Sequence, residues 1–253
     1  MKLLNNSTIE IAASRLGGTR NDKMINSMTE RHQKILKEIV RSYVRSAQPI
    51  GSEFLIRKLG GNLSSATVRN EMAKLEDGGY IYQPHTSAGR IPTEKGYQFY
   101  LDNFLSEKDL SAEFEKSIRR IESAKNKEEV YKNVAKSAAQ LSGQTIVISF
   151  SKNNTYYTGV FNLFSQPEFS EFDLVRNFSR MIDNLDEIIA KLYNQLGSQI
   201  EISIGHTNPF SPYLASILTM ANNKTLLGLI GPMRMDYERN LALVKCFKNY
   251  VEK

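Results

Sequence analysis

The sequence is poor in residues that staple folds or ligate metals: it has one cysteine, Cys246, no tryptophan and three histidines among 253 residues. A single thiol cannot close an intrachain disulfide, which fits a reducing cytoplasm. No apolar run approaches the ~18–20 residues of a membrane span. The N-terminus lacks the continuous apolar stretch of a secretory signal. A cytoplasmic protein with no membrane partner is therefore expected. His32, His85 and His206 are widely separated, with no Cys/His/Asp cluster at metal-ligand spacing, so neither a metal nor a cofactor is expected. His32 reads as a solvated helix residue, and His206 as part of a loop near Pro209. The chain also lacks a phosphate-cradling glycine loop and a nucleophile elbow, and nothing in it reads as an enzyme.

What is present is ordinary globular material. Hydrophobic residues make up 41% and charged residues 24%, enough for buried cores and too apolar for wholesale disorder. The length suits two domains of roughly 100–150 residues. The formal net charge of +6 favours polyanionic partners without requiring them. Residues 1–27 show little helical period and read as a flexible N-terminal tail. Met28, directly before a helix start, or Met24 is an alternative initiation site. The expected organisation is this tail, a first domain over 28–105 and a second over 106–253.

From Thr29 the apolar pattern is helical. Ile35, Leu36, Ile39, Val40, Tyr43 and Val44 form one stripe, capped by Thr29 and ended before Pro49. A short helix over about 51–59 and a Gly60-Gly61-Asn62 turn follow. The next helix is capped by Ser64 or Ser65, buries Val68, Met72 and Leu75, and stops at Gly78 or Gly79. Residues 80–83 read as a strand, 84–92 as a loop, and Thr93 caps a helix with Tyr97, Tyr100, Leu101 and Phe104 inward. Residues 106–113 read as a linker. The second half mixes helices, including 128–141, with strands at 146–150, 156–162 and 200–204 and two more flanking Asn222-Asn223. Pro167 opens a long helical stretch, including Phe178, that breaks near Asn184. The last helix runs over about 236–250 and carries a partly buried Cys246. Gly231-Pro232, Arg234 and Asp236 read as a turn leading into that capped helix.

Helix, short helix, tight turn, helix and strand-loop-strand is the order of a winged helix-turn-helix. In such a unit the second helix of the pair enters the major groove with outward polar groups near its N-terminus. Arg69 can pair with guanine and Asn70 with adenine, both in bidentate geometry. Ser64, Ser65, Thr67 and Lys74 suit phosphates. In the wing, His85, Thr86 and Ser87 form a flexible loop, and Arg90 can reach backbone or minor groove; His85 reads as shaping the wing rather than as a base. Residues 28–105 have a net charge of only +3 (11 Lys+Arg against 8 Asp+Glu), so charge does not distinguish DNA binding from a protein-interaction module of the same element order. A small-molecule-sensing regulator is the other alternative.

The runs Leu63–Met72 (LSSATVRNEM) and Gln83–Tyr97 (QPHTSAGRIPTEKGY) resemble the HrcA family of heat-inducible transcription repressors. The likeness continues in Asn162–Phe169 (NLFSQPEF) and Gly228–Tyr237 (GLIGPMRMDY). The resemblance implies an α+β fold, with an N-terminal winged helix-turn-helix followed by a GAF-like domain. It implies a repressor of chaperone operons that binds an inverted-repeat operator in double-stranded DNA as a homodimer. It further implies release on heat stress and a chaperonin as a partner. The sequence departs from the family pattern at one place. Only about a dozen residues separate Phe150 from Asn162, where the family carries further secondary structure and an inserted dimerisation domain. The GAF-like domain is thus expected to be reduced, and its mode of dimerisation is left open.

Overall fold

The structure, a computed structural model, describes residues 9–11, 28–61, 63–119, 121, 126–170 and 179–253. Expectations for the rest of 1–27, for Asn62 and for Phe178 lie outside the described residues. The protein is an α+β protein that divides after Leu105 into two compact units.

The first unit begins with α1 (Glu30–Ser46). Thr29 caps it by accepting from the His32 amide at 3.2 Å, and the buried stripe is Ile35, Leu36, Ile39 and Val40. Ala47, in the left-handed region at φ 54°, donates its N–H to the Tyr43 carbonyl and turns the chain toward Pro49. Helix α2 (Ser52–Lys58) is followed by Gly60 and Gly61, both at positive φ as a tight turn requires. Helix α3 (Ser65–Asp77) starts at its cap Ser64. Beyond it, β2 (Ile81–Tyr82) and β3 (Ile91–Pro92) pair antiparallel, and α4 (Glu94–Phe104) starts at Thr93. At Gly96 a Cβ would come within 2.1 Å of the Tyr80 carbonyl oxygen, so only glycine lets α4 pack this closely. Tyr80 and Phe99 meet edge to face at 5.6 Å in the core.

The second unit is built on a sheet. Helices α5 (Ser111–Ile118) and α6 (Lys127–Ser142) precede the hairpin β4 (Thr145–Ser151) and β5 (Asn154–Thr158). Then come α7 (Val160–Phe164), a 3-10 turn at Pro167–Ser170, a helical segment at 179–183, and α8 (Leu185–Tyr193). Strands β6 (Ile200–Ile204), β7 (Leu214–Ala221) and β8 (Thr225–Pro232) and the last helix α9 (Tyr237–Glu252) complete it. Naming Ile9–Ile11 as β1, the strand order is β1-β6-β7-β8-β4-β5, antiparallel except for the β1–β6 pair.

The sheet is buried on both faces. One face carries Val147, Leu214, Leu218, Leu226 and Ile230, packed with Leu163, Met181, Leu185 and Ile189. Residues of the other parity, including Ile148, Ile217 and Leu229, are equally buried, and α6 and α9 pack on the sheet. Period-two alternation with helices on both sides makes β7 and β8 read as near-continuous apolar runs.

Four sequence expectations change. Ile9–Ile11, inside the expected tail, instead extend the sheet by pairing with β6. The linker expected over 106–113 gives way to α5 at Ser111, because Phe114 and Ile118 bury a helical face. The strand expected over 156–162 ends at Thr158. Gly159, at φ 80°, turns it into α7, and a Cβ there would meet the Gln144 carbonyl oxygen at 2.5 Å. Pro167 opens a 3-10 turn, and the expected break at Asn184 falls between the 179–183 segment and α8.

Candidate nucleic-acid interface

Helix α3 has two chemically distinct faces. Val68, Glu71, Met72 and Leu75, at i, i+3, i+4 and i+7, are buried. Arg69, Asn70, Ala73 and Lys74 are exposed. Arg69 and Asn70 make no hydrogen bond or ion pair among the described residues, so their donors and acceptors face solvent. Ser64 and Thr67 have a local task. The Ser64 hydroxyl accepts from the Thr67 amide at 3.1 Å and lies 2.8 Å from the Thr67 hydroxyl. They fix the helix start and leave the other first-turn N–H groups pointing outward. Ser65 is half-buried in that turn.

The β2–β3 loop presents His85, Thr86 and Ser87 as exposed residues. The Gln83 side-chain amide orders it by donating to the carbonyls of Thr86 (2.8 Å) and Ala88 (2.9 Å). Glu76 of α3 ties the loop down, accepting from the Gln83 amide at 3.2 Å and from Arg90 Nε at 2.8 Å. Arg90 exchanges backbone hydrogen bonds with Ile50, both at 2.9 Å. Gly89 sits so close to Ile50 that a Cβ would meet its carbonyl carbon at 2.4 Å. Arg90 therefore pins the loop to α3, and the structure does not extend it outward beside His85–Ser87. Arg69 and Asn70 lie about two turns N-terminal to Glu76, so the loop joins the far end of the helix.

The sequence also left an ion pair unseen. Glu71, only 8% exposed, meets His32 Nε2 of α1, with Lys74 Nζ at 3.5 Å and Arg31 Nη1 at 3.8 Å. His32 is thus partly buried and paired with a carboxylate, where the sequence suggested a solvated residue; its imidazole turns toward the α1–α3 seam. The available signal was Glu71 itself, an acid on the buried stripe of α3. These groups line a recess of about 570 Å³, edged by the cations of Arg31, Lys34 and Lys74. Glu30 lines the same recess, so its charge is mixed, with Lys34 adding positive charge at its edge.

In the second unit several polar side chains are taken up by caps and ion pairs. Arg234, half-buried, pairs with Glu168 and donates to the Gln166 side chain at 2.9 Å. Asp236 caps α9 by accepting from the Arg239 amide at 3.0 Å and binds Lys108 at 3.1 Å. Burial pushes the Cys246 thiol and the fully buried Tyr237 phenol up in pKa, which makes both less reactive. Among the described residues no group of three or more metal-binding side chains occurs, and no helix is long and apolar enough to cross a membrane.

The family model described as the HrcA protein C terminal domain matches residues 94–241, more than half of the chain. The chain belongs to the HrcA family. It is a family of transcriptional repressors, not of enzymes. The heat-inducible transcription repressor HrcA of Pelotomaculum thermopropionicum is 44% identical over 123 residues, 48% of this chain but only 35% of that protein. The HrcA of Acetivibrio thermocellus is 26% identical over 332 positions, covering 88% of this chain and 95% of the relative. That alignment is longer than the 253 residues of the chain, so the relative carries residues that this chain lacks. A crystal structure described as that of a hypothetical protein shares the fold. It has a TM-score of 0.71 and 21% identity, over 89% of this chain and 98% of that one. Helices α1–α3 lie before the HrcA family-model match, whereas α4 and most of the sheet unit lie within it.

Proposed function

We propose that the chain is a sequence-specific DNA-binding repressor of chaperone operons, reading an inverted-repeat operator as a homodimer and releasing it on heat stress. In this reading the first unit is a winged helix-turn-helix, with α3 in the major groove and the β2–β3 loop as its wing. The second unit is a reduced GAF-like domain for self-association and chaperonin contact. The observation that carries the reading is the exposed face of α3, where Arg69 and Asn70 project without a partner from the N-terminal half of a helix packed firmly on its other side. That is the placement from which a guanidinium reads guanine O6 and N7, and a carboxamide reads adenine N6 and N7. Lys74, Ser65 and the recess cations contact phosphates, and Ser64 and Thr67 shape the helix start that meets the backbone. His85, Thr86 and Ser87 approach the flanking backbone, held in place by Arg90. The names of the relatives, heat-inducible transcription repressors, support the same reading.

Fluorescence anisotropy with an inverted-repeat duplex from a chaperone promoter tests it, with a scrambled duplex as the control at several salt concentrations. The expected result is binding at least ~10³-fold tighter to the repeat. Equal affinity for both duplexes, falling steeply with salt, would reduce the interaction to phosphate attraction and defeat the proposal.

A further inference from the structure

The two edges of the sheet differ. At one end β1 is only three residues long, which blunts an edge. At the other end β5 runs five residues, Asn154-Thr155-Tyr156-Tyr157-Thr158, with no charge and no proline. It pairs with β4 on one side, and its backbone makes no hydrogen bond on the other side among the described residues. The bulge in β4 falls at Ser149–Ser151, near the hairpin turn, and leaves Thr155–Thr158 in regular register. Two of the large exposed hydrophobic side chains lie in this strand or just after it in the chain: Tyr157, 41% exposed, and Phe161 of α7, 80% exposed. Unpaired strand groups beside exposed aromatics present a template for a further strand.

We infer that β5 is the homodimer contact, pairing antiparallel with β5 of a second copy across a two-fold axis near Tyr156. This rests on the operator-reading proposal, which calls for a two-fold assembly, and it names the surface that provides one. The strand suits its own copy. An antiparallel pair is isologous, so each outward N–H and carbonyl finds its counterpart on the identical strand. Centred on Tyr156, the pairing sets Thr155 opposite the second copy's Tyr157, and Asn154 opposite its Thr158, with no charges opposed. The nearest charge on the hairpin, Lys152, falls beyond the paired segment, and the two lysines stand roughly 25 Å apart. Tyr157 and Phe161 of both copies flank the seam and supply apolar area that a five-residue strand pair alone lacks.

Sedimentation equilibrium on the full chain tests this, with Tyr157→Lys and the double variant Thr155→Lys/Tyr157→Lys beside it. The double variant puts like charges directly opposite each other at two symmetric places. The expected result is a dimer for the unsubstituted chain. Tyr157→Lys should dimerise roughly tenfold more weakly and the double variant more weakly still. The circular dichroism spectrum and the affinity for a single operator half-site should stay unchanged, while the preference for the full repeat shrinks with dimerisation. Thr155 donates to Ser149, so the double variant strains β5 more than the exposed Tyr157→Lys, which decides the matter if the double variant misfolds. A monomeric parent, or a dimer indifferent to Tyr157→Lys, overturns the inference. Failure of every protein to bind half-site or full repeat, with dimerisation still lost in Tyr157→Lys, would defeat the operator reading and leave the β5 contact standing.

Discussion

The exposed face of α3 and the interior of the sheet unit answer to different constraints. On α3, packing accounts for Val68, Glu71, Met72 and Leu75, a pair with Glu71 accounts for part of Lys74, and Arg69 and Asn70 are left unaccounted for. In β7 and β8 every position is buried and most side chains are apolar, while the buried Ser216 and Thr219 hydrogen-bond to the Asn208 side chain and the Ser198 carbonyl. A residue that stability does not explain is open to a functional explanation, and the first unit has two such residues side by side on one helix. The sheet unit spends its polar side chains on caps and ion pairs, such as Asp236 on α9 and Arg234 with Glu168. Binding specificity should therefore be separable from stability on α3 and inseparable from it in the sheet.

The largest expected effect lies in the sheet. Leu226 is fully buried within the apolar cluster under α8, and Leu226→Ala should destabilise the second unit by about 2–5 kcal/mol in a denaturant melt. A loss well under 1 kcal/mol would mean that the sheet interior is not the packed core described here. Next comes Arg69→Ala, expected to weaken operator binding by about 1–3 kcal/mol and to relax preference at one base position. Its melting curve should match the parent's, since exposed substitutions of this kind shift stability by only about 0.5 kcal/mol. Equal damage to folding and binding would erase the contrast between the two regions. Glu76→Ala comes next and should touch both folding and binding. It removes the acceptor for both the Gln83 amide and Arg90 Nε, so a cost of about 1–2 kcal/mol is expected in stability. Operator affinity should fall as well, because the β2–β3 loop loses its tie to α3. Unchanged values in both assays would show that Ile50 alone holds the loop.

The sequence made local features legible and long-range ones obscure. Thr29, Ser64 and Thr93 cap helices where their spacing predicts, and β6 occupies 200–204 as the alternation suggests. The outward placement of Arg69, Asn70 and Lys74 also followed from the 3.6-residue period. Contacts made by residues distant in sequence did not follow. Arg90 looked like a wing arginine because nothing local shows that Glu76 and Ile50 claim it. His32 looked solvated because Glu71 lies 39 positions further on, and its partner is set by how α1 crosses α3. The parallel pairing of Ile9–Ile11 with β6 joins residues 191 positions apart, and three residues carry too little pattern to announce a strand. The turn at Gly159 depends on the Gln144 carbonyl, again a tertiary neighbour.

The smallest effect concerns Lys74, which tests whether the exposed face of α3 is uniform in its work. Its ammonium is exposed and lies 3.5 Å from Glu71, a carboxylate already shared with His32 and Arg31, so part of its charge is spent within the protein. A surface pair of this kind adds less than about 1 kcal/mol, and Lys74→Ala should leave the melting curve nearly unmoved. As a phosphate contact it carries no sequence information. The substitution should weaken repeat and scrambled duplexes by the same few-fold factor and lower the salt dependence by about one counterion. Arg69→Ala should do the reverse, collapsing the difference between the two duplexes while changing the salt slope less. If Lys74→Ala instead narrowed that difference, α3 would lie along the groove in another orientation, with its middle rather than its N-terminal half against the bases.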